Sequence, residues 1–265
     1  MFSILQYSFI QNAFLAGSIV AIVGGFVGYF LITRGLTFAG HALSHIGFAG
    51  AAAALLVGVD PIYGLLLFTV ASGIGIGVFG KNLREEDINI GIVMMLMLGL
   101  GALFISLYSG YAEQAYSILF GTILGISKTD VFITLIFGIA TIAILAAIFR
   151  PLLFSSIDPE VAEARGVPVR FLGILFLVLV AVAVSMSVQV VGVLLIFTLL
   201  VGPAATATRI VHSPLGAVIL SVALALAYTW IGIFFAATGS WPVTFYIATI
   251  SFCVYLPVRL LTARA

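Results

Sequence analysis

Two histidines, His41 and His45, are the residues whose type and spacing are best suited to chemistry. They lie four positions apart within Gly35 to Val59, a stretch that has no lysine, arginine, aspartate or glutamate. On an α-helix, residues four apart share one face about one turn from each other, so the two imidazoles can act together. A polar pair in such an apolar stretch costs free energy unless protein groups or a ligand satisfy it. The pair is therefore a candidate transport or binding site.

Two neutral imidazoles provide a two-nitrogen ligand set for a borderline divalent ion such as Zn²⁺, Mn²⁺ or Fe²⁺. A transport site leaves the other coordination positions to water or a partner subunit, so that the ion can depart. The alternative is that both rings form hydrogen bonds with neighbouring helices. The glycines and alanines around the pair, like those of Ser72 to Gly77, indicate close helix packing.

The elements that position this pair are predicted to be membrane-spanning helices. Hydrophobic residues make up 63% of the 265 residues and charged residues 7%, whereas soluble domains have about 25% charged residues. The runs without charge are Met1 to Thr33, Gly35 to Val59, Pro61 to Gly80, Ile88 to Ala112, Val131 to Phe149, Phe171 to Thr208 and Ile210 to Val258. Because a span needs about 20 apolar residues, the sequence predicts an all-α polytopic membrane protein of about eight or nine transmembrane helices, forming one domain.

Turn residues indicate where these helices end. We expect breaks at Asp60 and Pro61, near 189–192, at Gly202 and Pro203, at 212–214 and at 239–242. The apolar piece Tyr116 to Ile126 is too short to span and is predicted to be re-entrant or interfacial. The first apolar run is expected to remain in the protein as a resident helix.

Most basic residues lie in segments that can share one side of the membrane, which the positive-inside rule makes cytoplasmic. On that assignment, the chain starts outside if Gly35 to Val59 crosses fully, and inside if this segment is re-entrant.

The longest charged segment, Arg150 to Arg170, predicts a short helix outside the hydrocarbon. Asp158 is a suitable N-cap, Pro159 suits the first helical position, Glu160 lies in the first turn, and Gly166 with Pro168 marks the end. From the residues alone, this is a solvated loop helix.

Several other functions are disfavoured. A net charge of +1 gives no basis for nucleic-acid binding. The sequence has no Gly-x-x-x-x-Gly-Lys-Ser/Thr loop for ATP, and His41 to His45 lacks the glutamate of a zinc-protease His-Glu-x-x-His motif. Ser44 points about 100° away from His45 on a helix, so a serine–histidine pair is unfavourable. Cys253 is the only cysteine, so no internal disulfide can form.

Ordered motifs along nearly the whole chain resemble the membrane permeases of metal-type ABC importers, the bacterial zinc, manganese and iron uptake family. They are LTFAGHALSHIGFAGAAAALL from Leu36, LREEDINIGIVMMLMLGLG from Leu83, LFGTILGIS from Leu119, DPEVAEARGVPV from Asp158 and VGVLLIFTLLVGPAATA from Val191. One position departs from the pattern. The resemblance implies an aspartate at the position of His41, so a hard oxygen ligand and a negative charge are missing here, which should weaken manganese preference relative to zinc.

The resemblance implies a type II (vitamin B12-type) ABC importer permease in the bacterial inner membrane, with His41 and His45 as ligands of a transported divalent ion and no permanently bound cofactor. It implies that a coupling helix at about 156–170, with Asp158, Glu160, Ala162 and Gly166, docks on a cytoplasmic ATPase. The other expected partners are a second permease, most simply a second copy, and an extracytoplasmic metal-binding protein. The alternatives are a permease for a chelate or another small substrate, and a membrane protein without transport activity, either an intramembrane enzyme or a structural subunit.

Overall fold

The computed structural model describes residues 7–79, 83–108, 121, 125–239 and 241–262, and these residues form α-helices without any β-strand. The helices in these ranges are α1 (Ser8–Thr33), α2 (Thr37–Leu56), α3 (Pro61–Phe79), α4 (Leu83–Leu107), α5 (Lys128–Ala147), α6 (Phe149–Ile157), α7 (Pro159–Ala164), α8 (Val169–Val191), α9 (Val193–Ile210), α10 (Pro214–Thr238) and α11 (Val243–Thr262). The predicted all-α class is confirmed.

Eight of these helices, α1 to α5, α8, α10 and α11, are long and apolar enough to cross a membrane. The ninth predicted segment corresponds to α9, whose apolar part, Leu195–Ile210, is shorter. The prediction of about eight or nine spans is therefore confirmed. The predicted re-entrant segment, Tyr116 to Ile126, lies almost entirely outside the described residues.

The helices form a buried centre and an exposed periphery. Helices α1, α2 and α8 are buried along most of their length, whereas only a minor part of α3, α4, α5 and α11 is buried. The exposed side chains of α4 include Ile92, Met95 and Leu103, each of them large and apolar. Such a surface suits lipid rather than water. The histidine-bearing helix α2 thus lies in the interior of the bundle.

Small residues bring the central helices into close contact. Helices α2 and α3 cross where Gly50 meets Gly64, and a methyl group on either glycine would overlap the carbonyl oxygen of the other. Gly28 of α1 lies equally close to the carbonyl oxygen of Leu200 in α9. Helices in lipid pack through such small residues because dispersion contacts require backbones to approach closely. The interpretation of the α2 glycines as packing residues is consistent with these contacts.

Glycine, proline and turn residues mark several of the helix ends. Gly192 has a φ of 81° and alone separates α8 from α9, a conformation that glycine adopts without a steric penalty. The fold-back predicted near 189–192 is therefore confirmed. Helix α10 begins at Pro214, and the last hairpin separates Thr238 from Val243, as predicted.

Two predicted features are corrected by the structure. Helix α9 continues through Pro203 instead of breaking there. The carbonyl of Leu199, which has no N–H partner at Pro203, lies beside Gly24 of α1, and prolines are tolerated in membrane helices that pack against neighbouring helices. The segment after α5 also holds a further helix, α6, where the sequence predicted only a single short helix from Asp158 onward.

Polar contacts identify which helix ends share a face of the membrane domain. An Nη of Arg34 donates to Ser155 Oγ in α6, and an Nη of Arg170 donates to the carbonyl oxygen of Val78 in α3. The C-terminal ends of α1 and α3 therefore lie on the face that carries α6 and α7, and α2 crosses fully between the two faces. Because the positive-inside rule makes the α7 face cytoplasmic, the N-terminal end of α1 lies on the outer side.

Candidate functional site

The imidazole rings of His41 and His45 pack against each other on one face of α2. Their ring centroids are 4.6 Å apart and their planes make an angle of 80°. The ring of Phe197, from α9, contacts His41 edge-on at a centroid distance of 4.8 Å. The expected same-face arrangement is present, and α9 forms one wall beside it.

The two histidines are distinguished from the rest of α2 by their exposure. Between Ala39 and Ala52, every residue except His41 and His45 is buried, and these two are partly exposed. The polar face of α2 is thus the face that its neighbours leave open, while small and apolar side chains fill the other directions. This arrangement presents both rings toward a space that a partner or a ligand can enter.

The neighbours of α2 fix its position on the remaining sides. Gly47 lies against Leu65 of α3, and Phe48 lies against Gly101 of α4. A side chain larger than glycine at position 47 or 101 would collide with these residues. The rings therefore project from a helix that is tightly packed on its other faces, which limits their movement.

Hydrogen bonding does not account for the two rings. Among the described residues, neither ring forms a hydrogen bond with a neighbouring helix, and Nδ1 of His41 is buried without a partner. Buried polar atoms are normally satisfied, so an unpartnered imidazole nitrogen requires an explanation. The geometry thus favours a ligand-related role over the alternative in which both rings serve only to join helices.

The pair alone does not complete a metal site. Within the described ranges, no group of three or more histidine, cysteine, aspartate or glutamate side chains is placed to hold a metal ion. Zinc sites in proteins commonly use three or four protein ligands, so the two imidazoles are fewer than such a site uses. Such an incomplete set suits an ion that binds and then departs.

Ser44 plays no part in this arrangement. Its hydroxyl is fully buried and donates to the carbonyl oxygen of Gly40, at 3.1 Å, within α2 itself. A serine nucleophile would need to lie within hydrogen-bond distance of a base. The site therefore lacks the arrangement of a serine hydrolase.

The predicted coupling residues lie together at the cytoplasmic face. Asp158 is the N-cap of α7, its carboxylate accepting a hydrogen bond from the backbone N–H of Val161 at 3.0 Å, with Pro159 in the first turn. Glu160 is exposed, and Gly166, with a φ of 81°, follows the helix end. Helix α7 is shorter than the predicted segment of about 156–170.

The role predicted for Ala162 is corrected. Its side chain is fully buried within the protein, so it cannot form a surface that another subunit touches. Its small size instead allows α7 to lie close to the rest of the chain. The residues of this segment that remain available to a partner include Glu160, Val161 and Glu163.

Two residues near these sites were not singled out from the sequence. Phe197 belongs to a continuous apolar run, and no pattern in that run indicates its contact with His41. Arg34 marks only a helix end in the sequence, but in the structure it contacts α6 and α8. Both contacts join segments far apart along the chain, so periodicity could not reveal them.

Comparison with known proteins identifies relatives along almost the whole chain. The family model described as the ABC 3 transport family matches residues 6–262. The manganese transport system membrane protein MntC of Listeria monocytogenes is 33% identical over 234 residues, which cover 88% of this chain and 83% of that protein. The manganese import system permease protein ScaB of Streptococcus parasanguinis is 33% identical over 230 residues, covering 86% and 82%.

Solved structures give a consistent result. PsaBC from Streptococcus pneumoniae, determined in complex with Fab, contains a chain that superposes with a TM-score of 0.87 at 31% identity, covering 97% of this chain and 93% of that chain. A metal-chelate type ABC transporter in an inward-facing conformation superposes with a TM-score of 0.71 at 17% identity, covering 97% and 84%. The second similarity concerns the fold alone.

Proposed function

The chain belongs to the ABC 3 transport family, and from this premise we propose that it is the membrane permease of an ATP-driven importer of a divalent transition-metal ion. The observation that carries the proposal is the partly exposed His41 and His45 pair on an otherwise buried stretch of α2. Imidazole nitrogens bind such ions, and the open face of the pair allows an ion to enter and leave.

Two copies of the chain would complete the ligand set. A second permease related by two-fold symmetry brings its own His41 and His45, so that four imidazoles can surround one ion. Four nitrogen ligands suit tetrahedral Zn²⁺, and two of them with water suit a more highly coordinated ion. Alternating access then requires that the paired helices α2 expose the ion first to the outer side and then to the cytoplasm.

The identity of the ion depends on two opposing considerations. The relatives MntC and ScaB are named as manganese transport proteins, which supports manganese. Position 41 carries an imidazole in place of the carboxylate that the family resemblance implies, which favours zinc because carboxylates suit manganese better. We propose manganese as the first candidate and zinc as its competitor at the same pair.

The energy source is a separate subunit in this proposal. The sequence contains no P-loop for ATP, so hydrolysis requires a cytoplasmic ATPase. Helix α7, with its N-cap Asp158 and its exposed Glu160, is proposed to dock on that subunit. An extracytoplasmic metal-binding protein would deliver the ion to the outer side.

Metal uptake in a bacterial host that lacks its own manganese and zinc importers tests the proposal. The chain is co-expressed with candidate ATPase and metal-binding protein subunits, and cell-associated manganese and zinc are measured by mass spectrometry. The H41A and H45A variants should lose uptake while still co-purifying with the ATPase. The matched control is H212A, because His212 is exposed in the turn between α9 and α10, away from the pair. Unchanged uptake in both H41A and H45A would refute the proposed ion site.

A further inference from the structure

Arg34 lies at the corner between α1 and α2 and contacts the chain on both sides of α7. One of its Nη atoms donates to Ser155 Oγ at 3.0 Å and to Ser156 Oγ at 3.3 Å, in the last turn of α6. Its guanidinium carbon lies 5.8 Å from the ring centroid of Phe176 in α8, a cation–π arrangement. Helix α6 precedes α7 and α8 follows it, so the corner is joined to both ends of the coupling segment.

The hydroxyls of Ser155 and Ser156 are oriented to accept hydrogen bonds from Arg34. The hydroxyls of Ser155 and Ser156 both donate to the carbonyl oxygen of Leu152, at 2.9 Å and 2.6 Å. A hydroxyl has one proton, so each oxygen has only acceptor capacity left, which matches a guanidinium that only donates. The contact therefore depends on this orientation of the serines in α6.

No carboxylate among the described residues neutralises the charge of Arg34. In the part of the chain that the structure describes, Arg34 forms no ion pair, and its Nε is buried without a partner. Burial lowers the pKa of Arg34 from its ordinary value, but a guanidinium stays protonated at physiological pH. A partly buried charge that is met only by neutral groups is a poor source of stability compared with apolar packing. Its presence at this junction calls for a role other than stability.

Packing alone already joins these helices. Phe30, one turn before Arg34, is fully buried and contacts Phe149 of α6 at a ring-centroid distance of 5.4 Å and Phe176 of α8 at 6.0 Å. This aromatic cluster should hold α1, α6 and α8 together when Arg34 is replaced. A substitution at Arg34 therefore tests the polar link without removing the structural one.

The path from Arg34 to the ion site is short. Gly35, with a φ of 68°, and Leu36 separate Arg34 from the start of α2 at Thr37, and His41 lies about one turn into that helix. A cavity of about 880 Å³ opens beside the corner, and both Arg34 and Glu163 of α7 line it. The corner and α7 thus border the same open space, which allows one to move with the other without displacing packed side chains.

We propose that Arg34 is a positioning residue that transmits displacement of α7 to α2, and so to His41 and His45. The inference rests on the proposed function, since it assumes that α7 receives motion from an ATPase and that α2 carries the ion. It adds the link between them, which consists of Arg34, Ser155 and Ser156. In this proposal Arg34 changes the position of α2 and is not itself a ligand of the ion.

The test measures how many manganese ions are imported for each ATP hydrolysed. The permease–ATPase complex is reconstituted in liposomes with its binding protein, and Mn²⁺ import and phosphate release are followed together. In R34Q, we expect this ratio to fall by about tenfold while ATP hydrolysis continues. A tenfold change is within the range of coupling free energies that are usual between two sites of one protein. The S155A/S156A double variant should reduce the ratio in the same direction, because it removes the acceptors and leaves the arginine in place.

Two further variants separate positioning from general damage. R34K keeps the charge and should restore part of the ratio, although an ammonium lacks the planar guanidinium that can lie on Phe176 while one Nη donates to the serines. R209Q is the matched control, because Arg209 likewise donates to a hydroxyl, that of Thr262, and lies over an aromatic ring, that of Tyr255, but both belong to α11 rather than α6 or α8. Its ratio should equal that of the wild type.

Two results would overturn the inference, and they differ from each other. If R34Q and S155A/S156A keep the wild-type ratio, or lose import and hydrolysis in parallel, the link does not transmit motion and the proposed function is unaffected. If the wild-type complex hydrolyses ATP and imports no metal, the proposed function itself fails, and this inference fails with it.

Discussion

The crossing of α2 and α3 at Gly50 and Gly64 allows a sharp prediction from one methyl group. In G50A, the new Cβ would overlap the carbonyl oxygen of Gly64 and would lie 2.8 Å from the Cβ of Phe68. Neither a backbone carbonyl nor a Cβ can rotate away, so the two helices must separate. The substitution is therefore expected to destabilise the protein, although alanine is a better helix former than glycine.

The size of the effect follows from two opposing terms. Adding a methylene-sized group to a packed core costs about 1–3 kcal/mol. The higher helix propensity of alanine offsets about 0.5–1 kcal/mol of this. We expect a net loss of up to about 2.5 kcal/mol in the free energy of unfolding, which lowers Tm by up to about 10 °C in a chain of this size.

The matched control is G75A in α3. Gly75 is also a helical glycine, but a Cβ built there meets no atom within 4 Å. Only the propensity term remains, so G75A should raise the free energy of unfolding by about 0.5–1 kcal/mol. The same chemical change is thus expected to give opposite signs at two positions.

Thermal unfolding of the detergent-purified protein, followed by the fluorescence of Trp230 and Trp241, measures both effects. The G50A/G64A double variant adds a further test, because helices that have already separated can accept the second methyl at a smaller cost. The two single effects should therefore not add. Equal shifts for G50A and G75A, or strict additivity of G50A and G64A, would refute the argument that backbone contact holds α2 in place.

Three further predictions concern the ion, the coupling helix and the core. In H41D, restoring the carboxylate should raise manganese uptake relative to zinc, measured by competition between the two ions, and an unchanged ratio would exclude position 41 from selectivity. In D158A, loss of the cap on the Val161 N–H should destabilise α7 by about 1 kcal/mol and weaken co-purification with the ATPase. D158N keeps a capping oxygen and should behave like the wild type; an equal defect in D158N would assign the effect to charge. In T69V, the 2.7 Å hydrogen bond between the Thr69 and Ser185 hydroxyls is lost without a change of shape, which should lower thermal stability by about 1 kcal/mol. An unchanged Tm in T69V would show that this bond contributes nothing net.

Features set by local chemistry were predictable from the sequence. The shared face of His41 and His45 follows from the helical repeat, and their ring contact agrees with it. Asp158 caps a helix because aspartate is favoured at the N-cap. Gly192 separates two helices because glycine adopts a positive φ without a steric penalty. The number of spans followed from charge-free length alone.

Features set by tertiary contacts were not predictable. Pro203 ends a helix in isolation, but here Gly24 of α1 lies against the freed carbonyl and α9 continues. Ala162 looks like a contact surface until its burial inside the protein is known. The contacts of Arg34 with α6 join residues 121 and 122 positions apart, a relation that no local pattern encodes.

The burial of α2 also has a consequence for how such a protein can diverge. Between Ala39 and Ala52, only positions 41 and 45 are partly exposed, so a change of side chain there disturbs fewer packed neighbours than a change elsewhere in the stretch. On the proposed function, substitutions at these two positions would change the ligands offered to the cation, while the buried positions that hold α2 in place stay the same. The presence of a histidine at position 41, where the family resemblance implies an aspartate, is a change of this kind. Under that proposal, cation preference would change separately from folding.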